Sequence, residues 1–206
     1  MNEVSFVNVL LIDDHPLVNM GLAALLNETG RFSVLGQAHS LGEAQRFVED
    51  SQSLPSLIIL DIQLGKENGL DFIPFLRKTC QVKHAPLPPV LVCSAFDDPF
   101  LIQRALNLGA HGYVSKNGNR DDLLDAVNAV AQGKSYVSGG YNKLEEISGK
   151  YSLLTRRELD VLQLIKQNKN NQQIATIMDV SKRTVENHIS NIYFKTKTNR
   201  EGLVNL

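Results

Sequence analysis

Five short apolar runs, Val7–Ile12, Phe32–Ala38, Leu57–Leu60, Val90–Cys93 and Gly112–Ser115, punctuate the first two thirds of this chain. Each is followed by a segment with helical periodicity: Leu17–Leu26, Leu41–Val48, Leu70–Leu76, Phe100–Leu108 and Leu123–Val130. In the fourth, Leu101, Ile102, Ala105 and Leu108 make one apolar stripe. Runs that are apolar almost throughout suit strands covered on both faces. Five strand-then-helix units predict an α/β fold: a five-stranded parallel, doubly wound sheet. Right-handed crossovers then bring the carboxyl end of every strand to one edge.

What ends each run carries the chemistry. The first, LLIDDHP, ends in Asp13 and Asp14; the third, SLIILD, ends in Asp61; the fourth ends in Ser94; the fifth ends in Lys116. Buried carboxylates need a compensating positive charge. Ligands of doubly wound sheets bind at the strand ends, where the strand order reverses. Asp13, Asp14 and Asp61 offer the oxygen ligands that Mg²⁺ takes. A carboxylate can also attack phosphorus, and Lys116 and Ser94 can neutralise phosphoryl oxygens. Simpler roles compete at each position. Asp14, just before His15-Pro16, suits an N-cap; Ser94 suits a cap too, Asp61 a loop acid, and Lys116 a solvated lysine.

The back of the chain differs. Gly133–Ser152 is rich in Gly and Ser and reads as a linker, with one short helical turn at Lys143–Ile147. Beyond it the pattern is all helical. Thr155 with Glu158 makes a capping box. Val161, Leu162 and Ile165 continue an apolar face. Then come a helix with Ile174, Ala175 and either Ile177 or Met178 inward, a turn plugged by Val180, and a second helix. That helix is capped by Ser181 and packed through Val185, Ile189 and Ile192. Arg183, Asn187, Ser190 and Asn191 fall on its other face. This is the pattern of a helix-turn-helix, whose second helix enters the major groove, although a plain helical bundle shows the same periodicity. Asn pairs with adenine and Arg with guanine. Lys182, Lys195, Lys197 and Arg200 are placed to meet phosphates.

The net charge of −1 hides a split. Residues 1–149 carry 11 basic and 17 acidic side chains, residues 150–206 carry 10 and 5. An acidic front and a basic back predict different partners, nucleic acid for the back, and electrostatic docking of one on the other at rest. Cys80 and Cys93 have neither metal nor disulfide spacing, which fits a reducing, cytoplasmic setting. No apolar run approaches the ~20 residues of a membrane span, and MNEVSF lacks signal-peptide character.

LLIDDHP, LIILDIQLGKENGL, VLVCSA and GAHGYVSK resemble the receiver domain of two-component response regulators, across about Val7–Gln132. The resemblance implies a flavodoxin-like receiver over residues 1–132. It implies Asp61 as phosphoacceptor in a phosphorelay, and Mg²⁺ or Mn²⁺ held by Asp13, Asp14, Asp61 and the Gln63 backbone carbonyl. It implies Ser94 and Lys116 as phosphate contacts, and Tyr113 as the aromatic that follows Ser94 on switching. Gly65-Lys66 stands where the family usually has Pro-Gly, predicting a looser loop with added positive charge. Asn117 stands where Pro is common. A phosphohydrolase also uses an aspartyl nucleophile, but Asp61-Ile62-Gln63 has no acid two residues on and no insertion is long enough for a cap. No turnover of an external substrate is expected.

LTRRELDVL, NNQQIA and SKRTVENHISNIY are similar to the LuxR-type DNA-binding domain of the NarL/FixJ response regulators. The resemblance implies a small all-α domain at 153–206 after a linker at 133–152. It implies Lys182, Arg183, Thr184, Glu186, Asn187, Ser190, Asn191 and Lys195 at double-stranded DNA, a homodimer when active, and a cognate histidine kinase upstream.

Overall fold

The computed structural model describes residues 6–138, 154–196 and 198–204. The chain forms two compact units.

The first is built on β1 (Val7–Ile12), β2 (Phe32–Ala38), β3 (Leu57–Leu60), β6 (Val90–Ser94), β7 (Gly112–Ser115) and β8 (Tyr136–Val137). All pair in parallel, in the order β2-β1-β3-β6-β7-β8. Intervening helices are α1 (Pro16–Glu28), α2 (Leu41–Asp50), α3 (Phe72–Val82), α4 (Pro99–Leu108) and α5 (Arg120–Ala131). The five expected strands stand almost residue for residue; β1, β3, β6 and β7 are mostly buried, whereas β2, at the sheet edge, carries Ser33 and Gln37 and buries only its two ends. Val9, Leu11, Leu57, Ile59, Leu91, Cys93 and Val114 pack with Leu22 and Leu26 of α1 and Val127 and Val130 of α5. The alternate residues Leu10, Ile12, Ile58, Leu60 and Val92 are buried on the opposite face, as the pleat requires. Each such side chain contributes about 1.5–3 kcal/mol.

Two features depart from the expectation. The sheet has a sixth strand, β8, inside the stretch read as linker, with Gly112 opposite Tyr136. Two residues are too few for a period, so only the neighbouring strand reveals it. The segment after Asp61 is a hairpin, β4 (Gln63–Leu64) against β5 (Glu67–Asn68), rather than a loose loop. Its two-residue turn uses Gly65 at φ +61°, the conformation Gly favours in first position of a tight hairpin. The helical turn read at Lys143–Ile147 lies outside the described residues.

The second unit holds α6 (Arg156–Lys166), α7 (Asn171–Met178), α8 (Lys182–Thr196) and α9 (Arg200–Val204). Thr155 and Glu158 form the capping box. Asn170 and Gln173 form another at the start of α7. α7 ends on Asp179 in the left-handed region, φ 53°, which turns the chain sharply into α8. Thr184 N–H donates to Ser181 Oγ at 3.0 Å, capping α8. Val161, Leu162, Ile165, Ile174, Ala175, Val185, Ile189, Ile192 and Leu203 are buried. Of the two inward alternatives on α7, Met178 is half-buried and Ile177 is exposed. No helix among the described residues is long and apolar enough to cross a membrane.

Candidate functional site

The strand order reverses at β1, which has β2 on one side and β3 on the other. The ends of β1 and β3 are therefore neighbours, and Asp61 N–H donates to the Ile12 carbonyl at 2.8 Å. Ligand atoms of Asp13, Asp14, His15 and Asp61 all lie within 4.8 Å of one another. Asp13 and Asp61 are buried and Asp14 is half-buried. From the end of β7, Lys116 Nζ donates to Asp13 Oδ2 at 2.5 Å and to Asp61 Oδ2 at 2.7 Å. The ammonium is thus a counter-charge and not a solvated surface group.

The electrostatics follow from that burial. Asp61 has its carboxyl pKa raised: burial outweighs the hydrogen bond and charge of Lys116, the charge of Asp13 adds to burial, and the Gln63 N–H works against it. Burial pulls the Lys116 pKa down, but hydrogen bonds to Asp13 and Asp61 and their charges outweigh it, so the net shift is upward. The pocket holds its lysine charged and opposes ionisation of Asp61.

Asp14 is not the N-cap of α1. His15 holds that position, without a side-chain cap, and Asp14 Oδ2 accepts from Gly65 N–H at 2.9 Å. Asp14 Oδ1 is buried without a hydrogen bond, although His15 Nδ1 lies 2.9 Å away. Three carboxylates, one with an unsatisfied oxygen, fit a hard divalent cation.

Ser94, fully buried at the end of β6, accepts from Phe96 N–H at 3.3 Å. Tyr113 is also fully buried, and its hydroxyl donates to the Phe96 carbonyl at 2.5 Å. Both therefore hold the same segment, residues 94–96. Asn117 Nδ2 donates to the Ala95 carbonyl at 2.9 Å, a third tie on it. The described residues contain no cis peptide.

Three residues at this site were not read from the sequence. His15 joins the carboxylate cluster. Buried Asn19 donates to the Asp13 carbonyl at 2.8 Å, fixing the end of β1. Gly69 packs so closely that a Cβ there would lie 1.9 Å from the Asp61 carbonyl oxygen. His15 stands beside the aspartates in DDHP and was legible; the other two act on the backbone of Asp13 and Asp61, six and eight residues away, through turns that only the fold reveals.

On α8, Lys182, Arg183, Asn187, Ser190 and Asn191 are exposed. Glu186 is exposed too and lies 3.8 Å from Lys182. Thr184 is half-buried. Two basic residues expected at phosphates are committed within the unit. Lys195 Nζ donates to buried Glu158 at 2.7 Å. Arg200 donates to Asn171 Oδ1 and to the Lys169 carbonyl, both at 2.7 Å. Lys197 lies outside the described residues.

Comparison with known proteins gives two family matches. A response regulator receiver domain covers residues 9–128, and bacterial regulatory proteins, luxR family, cover residues 152–204. The transcriptional regulatory protein MctR of Rhizobium johnstonii is 34% identical, over 99% of this chain and 94% of its own. The transcriptional regulatory protein DegU of Brevibacillus brevis is 32% identical, over 94% of this chain and 89% of its own. RcsB from Salmonella enterica serovar Typhimurium, solved on promoter rprA with the phosphomimetic BeF3⁻, shares the fold. Its TM-score is 0.69 at 21% identity, over 98% of both chains.

Proposed function

This chain belongs to the two-component response regulators that join a receiver domain to a LuxR-type helix-turn-helix domain, and from that premise we propose that phosphorylation of Asp61 controls the binding of α8 to double-stranded DNA. The phosphoryl group comes from a cognate histidine kinase or a small phosphodonor, and the active form is a homodimer. We take the receiver as residues 1–132 extended by β8, and the DNA-binding domain as residues 153–206. A cytoplasmic setting fits two cysteines that are both unpaired and buried.

The observation that carries this reading is Lys116, whose ammonium bonds both Asp13 and Asp61 beside the unsatisfied oxygen of Asp14. Asp13, Asp14 and Asp61, with the Gln63 carbonyl, would hold Mg²⁺ or Mn²⁺, which supplies charge neutralisation to the transferring phosphoryl oxygens. An Asp61 carboxylate oxygen attacks phosphorus. The bond from phosphorus to the donor breaks, and its electron pair leaves with the donor, giving an acyl phosphate. Lys116 exchanges its bond to Asp61 for one to the phosphoryl group. The new charge, about −2 at neutral pH, draws the Ser94 hydroxyl. Because Ser94 and Tyr113 hold the same segment, that pull loosens the Tyr113 bond to Phe96. Water later attacks the phosphorus, releasing inorganic phosphate and returning Asp61 to its carboxylate, with no external substrate turned over.

Intact mass after incubation with acetyl phosphate and Mg²⁺ tests it. One added phosphoryl group, absent from Asp61→Ala, is expected. No gain in a folded wild-type chain would overturn the phosphorylation half, leaving a regulator that binds DNA independently of it.

A further inference from the structure

α8 turns Val185, Ile189 and Ile192 inward, all buried. At about 100° per residue, Phe194, nine residues beyond Val185, points to the opposite side of the helix. Arg183 and Asn187 share that line, and Ser190 and Asn191 flank it, all exposed. Phe194 is 86% exposed, the most exposed large apolar side chain among the described residues. It stands at the end of an otherwise polar stripe.

We propose that Phe194 packs on the 5-methyl group of a thymine in the DNA major groove and so determines specificity at the outer part of the site. This rests on the DNA-binding reading above. A phenyl ring has no donor for a phosphate or for the polar base edges, and the thymine methyl is the apolar feature the major groove presents. Arg183 and Phe194 lie about 16 Å apart along the axis, the length of about five base-pair steps. One helix face can therefore read polar edges near its start and a methyl group near its end. A second copy of the chain is the competing occupant, but protein interfaces have apolar centres, and the neighbours of Phe194 on this face are Asn187, Ser190 and Asn191.

The test selects duplexes from a randomised DNA library with the full-length chain, treated with acetyl phosphate and Mg²⁺. Each thymine of the enriched site is then replaced by deoxyuridine, which removes only the methyl. In the wild type, one such replacement is expected to weaken binding about fourfold, the worth of one buried methyl-sized group. In Phe194→Ala that replacement is expected to have no effect, while thermal stability is unchanged because the ring is exposed. Equal affinity for thymine and uracil sites in the wild type overturns the proposal. So does an unchanged uracil penalty in Phe194→Ala. If Phe194→Ala lowers self-association in sedimentation and leaves the thymine-to-uracil ratio intact, the ring belongs to a second copy and the proposal falls. Failure of the wild type to retain any duplex overturns the DNA-binding reading itself, and the proposal with it.

Discussion

Lys116 Nζ lies 2.7 Å from Asp61 Oδ2. The pair joins the ends of β7 and β3. A second bond, to Asp13, makes one ammonium the counter-charge for two buried carboxylates.

Removing that ammonium should destabilise the first unit by about 3 kcal/mol, since breaking a buried pair leaves uncompensated charge. Lys116→Met is therefore expected to melt several degrees lower than wild type, and Mg²⁺ is expected to restore part of the loss. Differential scanning calorimetry with and without the cation measures both.

Asp61 gives the opposite sign. Its raised pKa means that the folded state binds this proton more tightly than the unfolded chain does. Stability from this group is full below the ordinary value of 3.8 and is lost as pH rises through the folded value. Asp61→Asn should thus melt higher than wild type at neutral pH without metal, and should lose most of the stabilisation by Mg²⁺. A melting temperature at or below wild type would refute this electrostatic account.

Gly69→Ala should disable phosphorylation by displacing Asp61, although every side chain of the proposed site is retained. A methyl group there meets the Asp61 carbonyl oxygen at 1.9 Å, and backbone cannot yield as a flexible side chain can. Phosphorylation by acetyl phosphate, followed by intact mass, should fall at least tenfold. Unchanged labelling would mean the turn at Gly69 moves freely past Asp61.

In the second unit, Glu158 is buried, which raises its pKa. The Lys195 hydrogen bond, the Thr155 backbone and side-chain hydrogen bonds, and the Lys195 charge outweigh burial and lower it overall. A lowered carboxylate adds stability above its ordinary value of 4.5 that is lost as pH falls through the folded value. Glu158→Gln should cost about 2–3 kcal/mol at neutral pH and remove this acid sensitivity. Hydrogen exchange of the α6 and α8 amides against pH reads both effects.

His111 provides a third pH signature. Burial lowers its pKa, and its Nδ1 lies 3.3 Å from Val90 N–H, placed to accept from it in the neutral ring. A lowered histidine adds stability above its ordinary value of 6.5 that is lost as pH falls through the folded value. His111→Gln should flatten the rise of melting temperature as pH climbs toward 6.5.

The sequence by itself determined the five main strands and the helices of the first unit, because short apolar runs alternating with helical stripes are buried together in a helix-covered parallel sheet. It also determined the acidic ends of β1 and β3, the lysine after β7, and the capping box at Thr155 and Glu158. These are local patterns, and local patterns are legible. It could not decide that Lys116 bridges two carboxylates, or that Asp14 binds the Gly65 amide instead of capping α1. Those outcomes depend on strand ends far apart in sequence meeting at one edge of the sheet. Lys195 and Arg200 make the same point: a lysine or arginine near a DNA-reading helix looks available for phosphate until the packed helices bring Glu158 and Asn171 within reach. Gly69 and β8 were invisible for a related reason, since a close approach or a two-residue strand exists only through its neighbour. Composition and period specify which surfaces must be buried; tertiary contact decides which polar groups then find each other.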